Sequence, residues 1–274
     1  GYRMRPDAVA QAIAEDRARG DLPIAIVATA GTVGTGAIDP IAELAQIARD
    51  EGLWLHVDGA YGAFAAVAAS CPPELRALAE ADSIACDPHK WLYSAIDAGV
   101  VLVREPRMLE RSFAFHASYL DTAPKEAEVE LLERTPENSR PQRAFKVWLS
   151  LQAFGRDGYA AMIEYNMRLA GYMEELVRST PALELAAPRA LSIVCWRVRP
   201  EGVEGAALDA LQTEVIAELE RRGIAMISNA TLRDGTTALR ACITNFRTTP
   251  EDVDAVVRES AAIAAELAGA KVTA

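Results

Sequence analysis

The chain has 274 residues, 51% hydrophobic and 24% charged, which suits one large or two modest domains with a real core and excludes a disordered chain. A formal net charge of −11 argues against nucleic acid or an anionic membrane as partner. Four widely spaced cysteines (Cys71, Cys86, Cys195, Cys242) form no C-x-x-C pair, so neither a disulfide framework nor a zinc site is signalled.

Pro6 to Arg19 reads as an amphipathic helix stopped by Gly20. Ile24 to Ala28 is a continuous apolar run, expected as a strand buried on both faces of a parallel sheet. Gly31, Gly34 and Gly36 form a turn, and Asp39-Pro40 opens a helix to about Glu51. Leu53 to Val57 is the next strand, Pro73 to Ala81 is helical, and Ser83 to Cys86 and Gly99 to Val103 are two further strands. Strands separated by helices of this length predict an α/β layered sheet with right-handed crossovers.

After Glu105 the pattern changes. Residues 112–140 hold Pro124 and Pro136, with Pro141 just beyond, near a short helical stretch, Glu126 to Glu133, and read as a long loop of the kind that closes over sites. Helices at about 141–154 and 156–178 follow. Then come strand Leu191 to Val198, helix Gly205 to Arg222, strands Ile224 to Ser228 and Thr237 to Ile243, and helix Pro250 to Ala268, a smaller α+β unit. The expected divisions are therefore 1–111, 112–140, 141–178 and 179–274. No apolar stretch is long enough to span a bilayer and no leader precedes the first strand, so a cytoplasmic location is expected.

Two strand ends carry chemistry. His56-Val57-Asp58-Gly59-Ala60-Tyr61 closes one apolar strand, and Asp87-Pro88-His89-Lys90-Trp91 follows another. Of four lysines, only Lys90 follows a buried strand and sits beside a histidine; Lys125 lies in the loop, Lys146 in a helix and Lys271 in the tail. An aspartate and a lysine on neighbouring strand ends suit pyridoxal 5'-phosphate, the lysine forming a Schiff base and the carboxylate keeping the pyridine nitrogen protonated. A buried Asp58 calls for a cation partner, although a surface or helix-capping carboxylate is the plainer alternative. Ala60 is small enough to let a flat ring approach, and His56 serves equally well as a half-buried core residue. Gly31-Thr32-Val33-Gly34-Thr35-Gly36 has neither a G-K-[ST] ending nor G-x-G-x-x-G spacing, so it reads as a turn in which Thr32 offers a hydroxyl to a cofactor. The three histidines, His56, His89 and His116, lack metal-ligand spacing, and no metal is expected.

Together these segments resemble the group II pyridoxal-phosphate-dependent decarboxylases, the family of aromatic-L-amino-acid, tyrosine and glutamate decarboxylases. The resemblance rests on Thr29 to Thr32 with Gly36 to Pro40, His56 to Tyr61, Asp87 to Leu92, and Leu239-Arg240 with Asn245 to Thr249. It implies a type I pyridoxal-phosphate transferase fold: a partial large domain with a mainly parallel sheet, plus a smaller α+β C-terminal domain. It implies decarboxylation of an L-amino acid, aromatic by preference, with other pyridoxal chemistry (lyase or transaminase) or an inactive fragment as alternatives. Lys90 would carry the cofactor, Asp58 would hold its ring nitrogen, Ala60 would pack on the ring, and His89 and Asp87 would lie by the phosphate. Tyr119 would protonate the substrate carbon; phenylalanine there is associated with relatives that make aldehydes. Arg140, Arg143, Lys146 and Trp148 resemble the basic helix start after that loop, from which Pro141 and Gln142 depart. The family's front portion has no counterpart in these residues, so a fragment or split protein is expected, working as a homodimer or with a partner chain that supplies the rest.

Overall fold

The computed structural model describes residues 1–114, 131–137 and 139–272. Helix α1 (Pro6–Ala18) starts with proline in its first turn, where the missing N–H costs no hydrogen bond. It leads to strand β1 (Ala25–Thr29), helix α2 (Ile41–Glu51) and strand β2 (Trp54–Asp58). In α2 the buried Ile41, Leu44, Ala45 and Ala48 recur at the helical period and face the sheet. Two 3-10 turns, Gly62–Val67 and Pro73–Glu80, precede strand β3 (Ser83–Cys86), the one-turn helix α3 (Pro88–Trp91), strand β4 (Val100–Val103) and helix α4 (Arg107–Phe113).

The first sheet has order β1-β2-β3-β4. β1, β2 and β3 run parallel, and β4 returns antiparallel, pairing Ser83 with Val103 and Cys86 with Val100. One face packs on α2 and the 3-10 turns through Ile26, Ala28, Leu55 and Val57, all within the larger core cluster. The other face is open: Val27 is 55% and Val101 53% exposed. This corrects the expectation that the first strand is buried on both sides. The apolarity of the run is real, but among the described residues no layer covers its second face.

Helix α5 (Arg143–Ser179) is one run interrupted at Gly155, whose φ of 63° and ψ of 178° is a conformation only glycine adopts without strain. The two helices expected on either side of residue 155 are thus present, joined at a kink. The first part carries the half-exposed Phe145, Trp148 and Phe154; the second buries Tyr159, Ile163, Asn166 and Met167.

A second sheet of order β5-β6-β8-β7 is antiparallel throughout: β5 (Leu183–Leu185), β6 (Ile193–Val198), β7 (Ser228–Thr231) and β8 (Thr237–Cys242). Helices α6 (Gly205–Arg221) and α7 (Pro250–Val272) complete this unit. All six β6 residues are buried. Val194, Trp196 and Val198 join the second core cluster, while Ile193 and Cys195 join the first, so β6 is the wall between the two units. Its Arg197 is buried with a nitrogen 2.9 Å from the Asp209 carboxylate.

Beyond shifts of a residue or so at other ends, the second unit departs from expectation at its strands. β6 starts at Ile193 rather than Leu191, because Leu191 takes a left-handed φ of 53° that breaks an extended run. The strand expected at Ile224 to Ser228 lies instead at Ser228–Thr231. The N–H groups of Ile224 and Ala225 both turn back to Leu219 O at the end of α6 and are spent there rather than on a ladder. β5 is an additional strand of three residues, too short for its alternation to stand out.

Candidate functional site

Parallel pairing puts the C-terminal ends of β1, β2 and β3 on one edge: Thr29 is in register with Asp58, and Asp58 with Ala85. Just past those ends lie the three segments singled out in the sequence, the Gly31–Gly36 turn, Asp58 to Tyr61, and Asp87 to Trp91. Open α/β sheets bind ligands at this edge. The backbone ties the segments together: Ala30 N–H donates to Asp58 O (2.8 Å), Gly59 N–H to Ala85 O (2.9 Å) and Asp87 N–H to Ala60 O (3.2 Å). Gly62 has to be glycine, since a Cβ there would strike Ala30 O and Leu191 Cδ1. That close approach lets the chain after Asp58 turn beneath the end of β1.

The Lys90 side chain is 42% exposed and its Nζ lies 2.7 Å from Asp87 Oδ2. Three residues apart across a single helical turn, the two groups meet as i, i+3 neighbours do. His89 Nδ1 is 2.7 Å from Ala98 O, and its Nε2 is 3.8 Å from Asp87 Oδ2. Asp58 is exposed, and its Oδ1 accepts the Ala60 N–H at 3.1 Å. The expectation that Asp58 is buried is therefore corrected: it projects from the open face of β2, where water meets its solvation need. Lys90 pairs with Asp87. On the same face His56 is half-buried, its Nδ1 2.7 Å from Ser83 Oγ, which also takes the Trp54 indole N–H at 2.8 Å. Ala60 and Thr32 are half-buried; Thr32 closes its turn by donating N–H to Ala37 O (2.9 Å) and accepting Gly36 N–H (2.8 Å). Tyr119, His116 and Lys125 lie outside the described residues. Arg143 and Lys146 both turn to Asp97, at 2.8 and 3.6 Å.

Behind this edge is a buried layer that sequence reasoning did not single out as functional. The Tyr61 ring stacks on Trp91, centroids 4.8 Å apart and planes 20° from parallel. Its hydroxyl lies 2.6 Å from Ser192 Oγ and accepts the Ser192 N–H at 3.0 Å. Asn166 joins Trp91, Tyr93 and Asn245 in the same layer. The only sequence signal was an aromatic closing each motif, three residues after Asp58 and one after Lys90. Burial, with Cys242 nearby, holds the Tyr61 phenol well above its ordinary pKa. Burial, aided by the Asp87 and Asp58 carboxylates, pushes the Cys86 thiol up to about 11, so it remains protonated and un-nucleophilic at neutral pH.

The donor set fits pyridoxal phosphate. An accessible primary amine (Lys90) and a carboxylate with one oxygen uncommitted among the described residues (Asp58) stand on adjacent strand ends, beside the small Ala60 and the imidazole of His89. No group of three or more His, Cys, Asp or Glu with metal-binding geometry occurs among the described residues.

The model of the family described as "Pyridoxal-dependent decarboxylase conserved domain" matches residues 1–199. The chain is 34% identical over 268 residues to an aromatic-L-amino-acid decarboxylase of Bacillus atrophaeus, covering 97% of this chain and 56% of that protein. It is 33% identical to the histidine decarboxylase of Mus musculus over 256 residues, 92% of this chain and 37% of the relative. Among solved structures, Oryza sativa TDC with PLP and tryptamine superposes with a TM-score of 0.89 at 26% identity, covering 97% of this chain and 55% of that one. The chain thus spans 37–56% of the length of these proteins.

Proposed function

We propose, from the premise that this chain belongs to the pyridoxal-dependent decarboxylase family, that the whole protein converts an L-amino acid to its amine and CO2. The observation that carries this is the convergence of Lys90 and Asp58 on one sheet edge. An aromatic substrate is our reading, supported by the aromatic-L-amino-acid decarboxylase relative. Bound pyridoxal phosphate supplies an electron sink for the bond to the departing carboxylate.

The chain's own residues divide the remaining work. The Lys90 amine, once released from Asp87, would be the group that holds the cofactor. The Asp58 carboxylate keeps a proton on the ring nitrogen by charge and hydrogen bond. Ala60 leaves room for the ring, His89 and Thr32 offer donors to the phosphate, and Asp87 sets the direction of the lysine. Tyr119 delivers the proton that replaces CO2 at the substrate carbon, and its segment excludes water while it does so. We read residues 1–111 as the cofactor-bearing part, 112–140 as the loop segment, 141–178 as connecting helices and 179–274 as the small domain. Assembly as a homodimer is supported by the half-exposed aromatic residues on α5. A cytoplasmic site suits four cysteines that are all free.

The test is to mix the chain with pyridoxal phosphate, reduce with borohydride and map the modified peptide by mass spectrometry. A pyridoxyl group on Lys90 alone, lost in Lys90→Gln and at least tenfold weaker in Asp58→Asn, is the expected result. Modification scattered over Lys125, Lys146 and Lys271, or unchanged in Asp58→Asn, would overturn the assignment.

A further inference from the structure

Lys90 is followed by Trp91 and, two residues later, Tyr93, and both side chains end on one amide. Asn166 is fully buried on α5. Its Oδ1 accepts the Trp91 indole N–H at 3.0 Å and the Tyr93 hydroxyl at 2.8 Å. Its Nδ2 donates to Asn245 O at 3.0 Å. Both lone pairs of the amide oxygen are used, and a flipped amide would set its nitrogen against the donor-only Trp91 indole and its oxygen against Asn245 O, so the orientation is fixed by its partners.

Asn166 stands in the buried stripe Ile163, Asn166, Met167, Ala170, Met173, where an apolar residue is the ordinary choice. Asparagine is a poor helix former, and its buried amide is tolerated only when bonded. What it holds is not at rest by itself. Tyr93 takes a left-handed φ of 53°, costly for a bulky residue, and is kept there by its hydroxyl bond and by its ring, which meets Phe246 edge-on at 5.2 Å. Asn245 and Phe246 belong to the turn between β8 and α7. The amide therefore spans from the lysine turn of the first sheet to a turn of the second unit. Tyr61 and Ser192 form a parallel tie from the Asp58 arm to the start of β6.

We propose that Asn166 is a positioning residue: it fixes the Trp91–Tyr93 turn that carries Lys90 and links the placement of that amine to the seating of the β8–α7 turn. The proposal rests on the reading of Lys90 as the cofactor lysine for its importance, though not for its test. Asn166 touches neither substrate nor cofactor and acts through Trp91 and Tyr93.

Hydrogen exchange by mass spectrometry on the full chain reads the effect, because the Lys90 and Ser94 amides are protected by Asp87 O and Pro88 O, and the Thr248 amide by Asn245 O. Asn166→Leu should speed exchange at least tenfold in peptides covering both 88–95 and 244–249. Leu211→Ala, a control in the second core, should leave both within twofold of the parent. Asn166→Asp retains both acceptor bonds but sets a carboxylate oxygen against Asn245 O in place of the donated N–H, so it should loosen 244–249 and spare 88–95. Pyridoxyl labelling of Lys90 should slow at least tenfold in Asn166→Leu and stay within threefold in Asn166→Asp. If Asn166→Leu does not fold, Tyr93→Phe removes one hydroxyl only and should loosen 88–95 alone. Unchanged exchange at 88–95 in the folded variant, or equal loosening in the Leu211→Ala control, overturns the proposal. A parent chain that takes no label at Lys90 overturns the lysine assignment instead, while the exchange result still decides Asn166.

Discussion

Replacing Tyr61 by phenylalanine isolates the tie between the two units. The ring and its stack on Trp91 remain, and only the hydroxyl goes. Ser192 is fully buried, so its N–H at 3.0 Å and its hydroxyl at 2.6 Å both lose a partner with no water to replace it. An unsatisfied buried donor costs about 1–3 kcal/mol. The hydroxyl falls at the low end because Cys242 lies within hydrogen-bonding reach of Ser192. The sum is about 2–4 kcal/mol, and at about 2–4 °C per kcal/mol for a chain of this size class the melting midpoint should fall by about 5–15 °C. Scanning calorimetry at pH 7.5 measures this, with near-UV circular dichroism confirming that the aromatic stack survives. A fall under about 2 °C with the stack intact would refute the reasoning, because it would mean that Ser192 finds other partners or reaches solvent.

Two further outcomes follow from burial and space. The Cys86 and Cys195 thiols are raised by burial to about 11, whereas an unfolded thiol ionises near 8.5, so their contribution is intact below about 8.5 and is lost as pH rises toward 11. Urea midpoints should hold from pH 7 to 8.5 and drop by pH 10, by on the order of 3–4 kcal/mol from the two groups together, and Cys86→Ala with Cys195→Ala should flatten the fall; a parent curve flat to pH 10 contradicts this. Gly171 has open space around its missing Cβ inside α5, so Gly171→Ala should stabilise by about 0.5–1 kcal/mol, while Gly62→Ala should cost several times as much or prevent folding. Equal melting temperatures for the two variants would show that the close approach at Gly62 relaxes without cost.

The sequence made the elements legible where pattern and punctuation agree. The kink at Gly155 falls where the two expected helices part, and β3 occupies the predicted Ser83 to Cys86. The site was legible as two strand ends because a carboxylate and an amine after apolar runs are conspicuous, and parallel pairing then brings them to one edge. What surrounds Asp58 was not, since local apolarity says that β1 wants cover but not whether a second layer is present to give it. Asn166 escaped notice for a different reason. Its partners Trp91, Tyr93 and Asn245 lie 75, 73 and 79 residues away, a separation at which no short-range period carries information.

The order of strands in the first sheet is also their order along the chain, so each strand on emergence finds its partner already in place and none has to be threaded between two others. Closing each successive crossover brings together only the strand just made and the one before it, which keeps the entropic cost of assembly low. Growth of this kind leaves β1 with a flank that is unpaired among the described residues, and another strand can be laid against it without breaking any pairing described. The first sheet is therefore a nucleus that can be completed from outside.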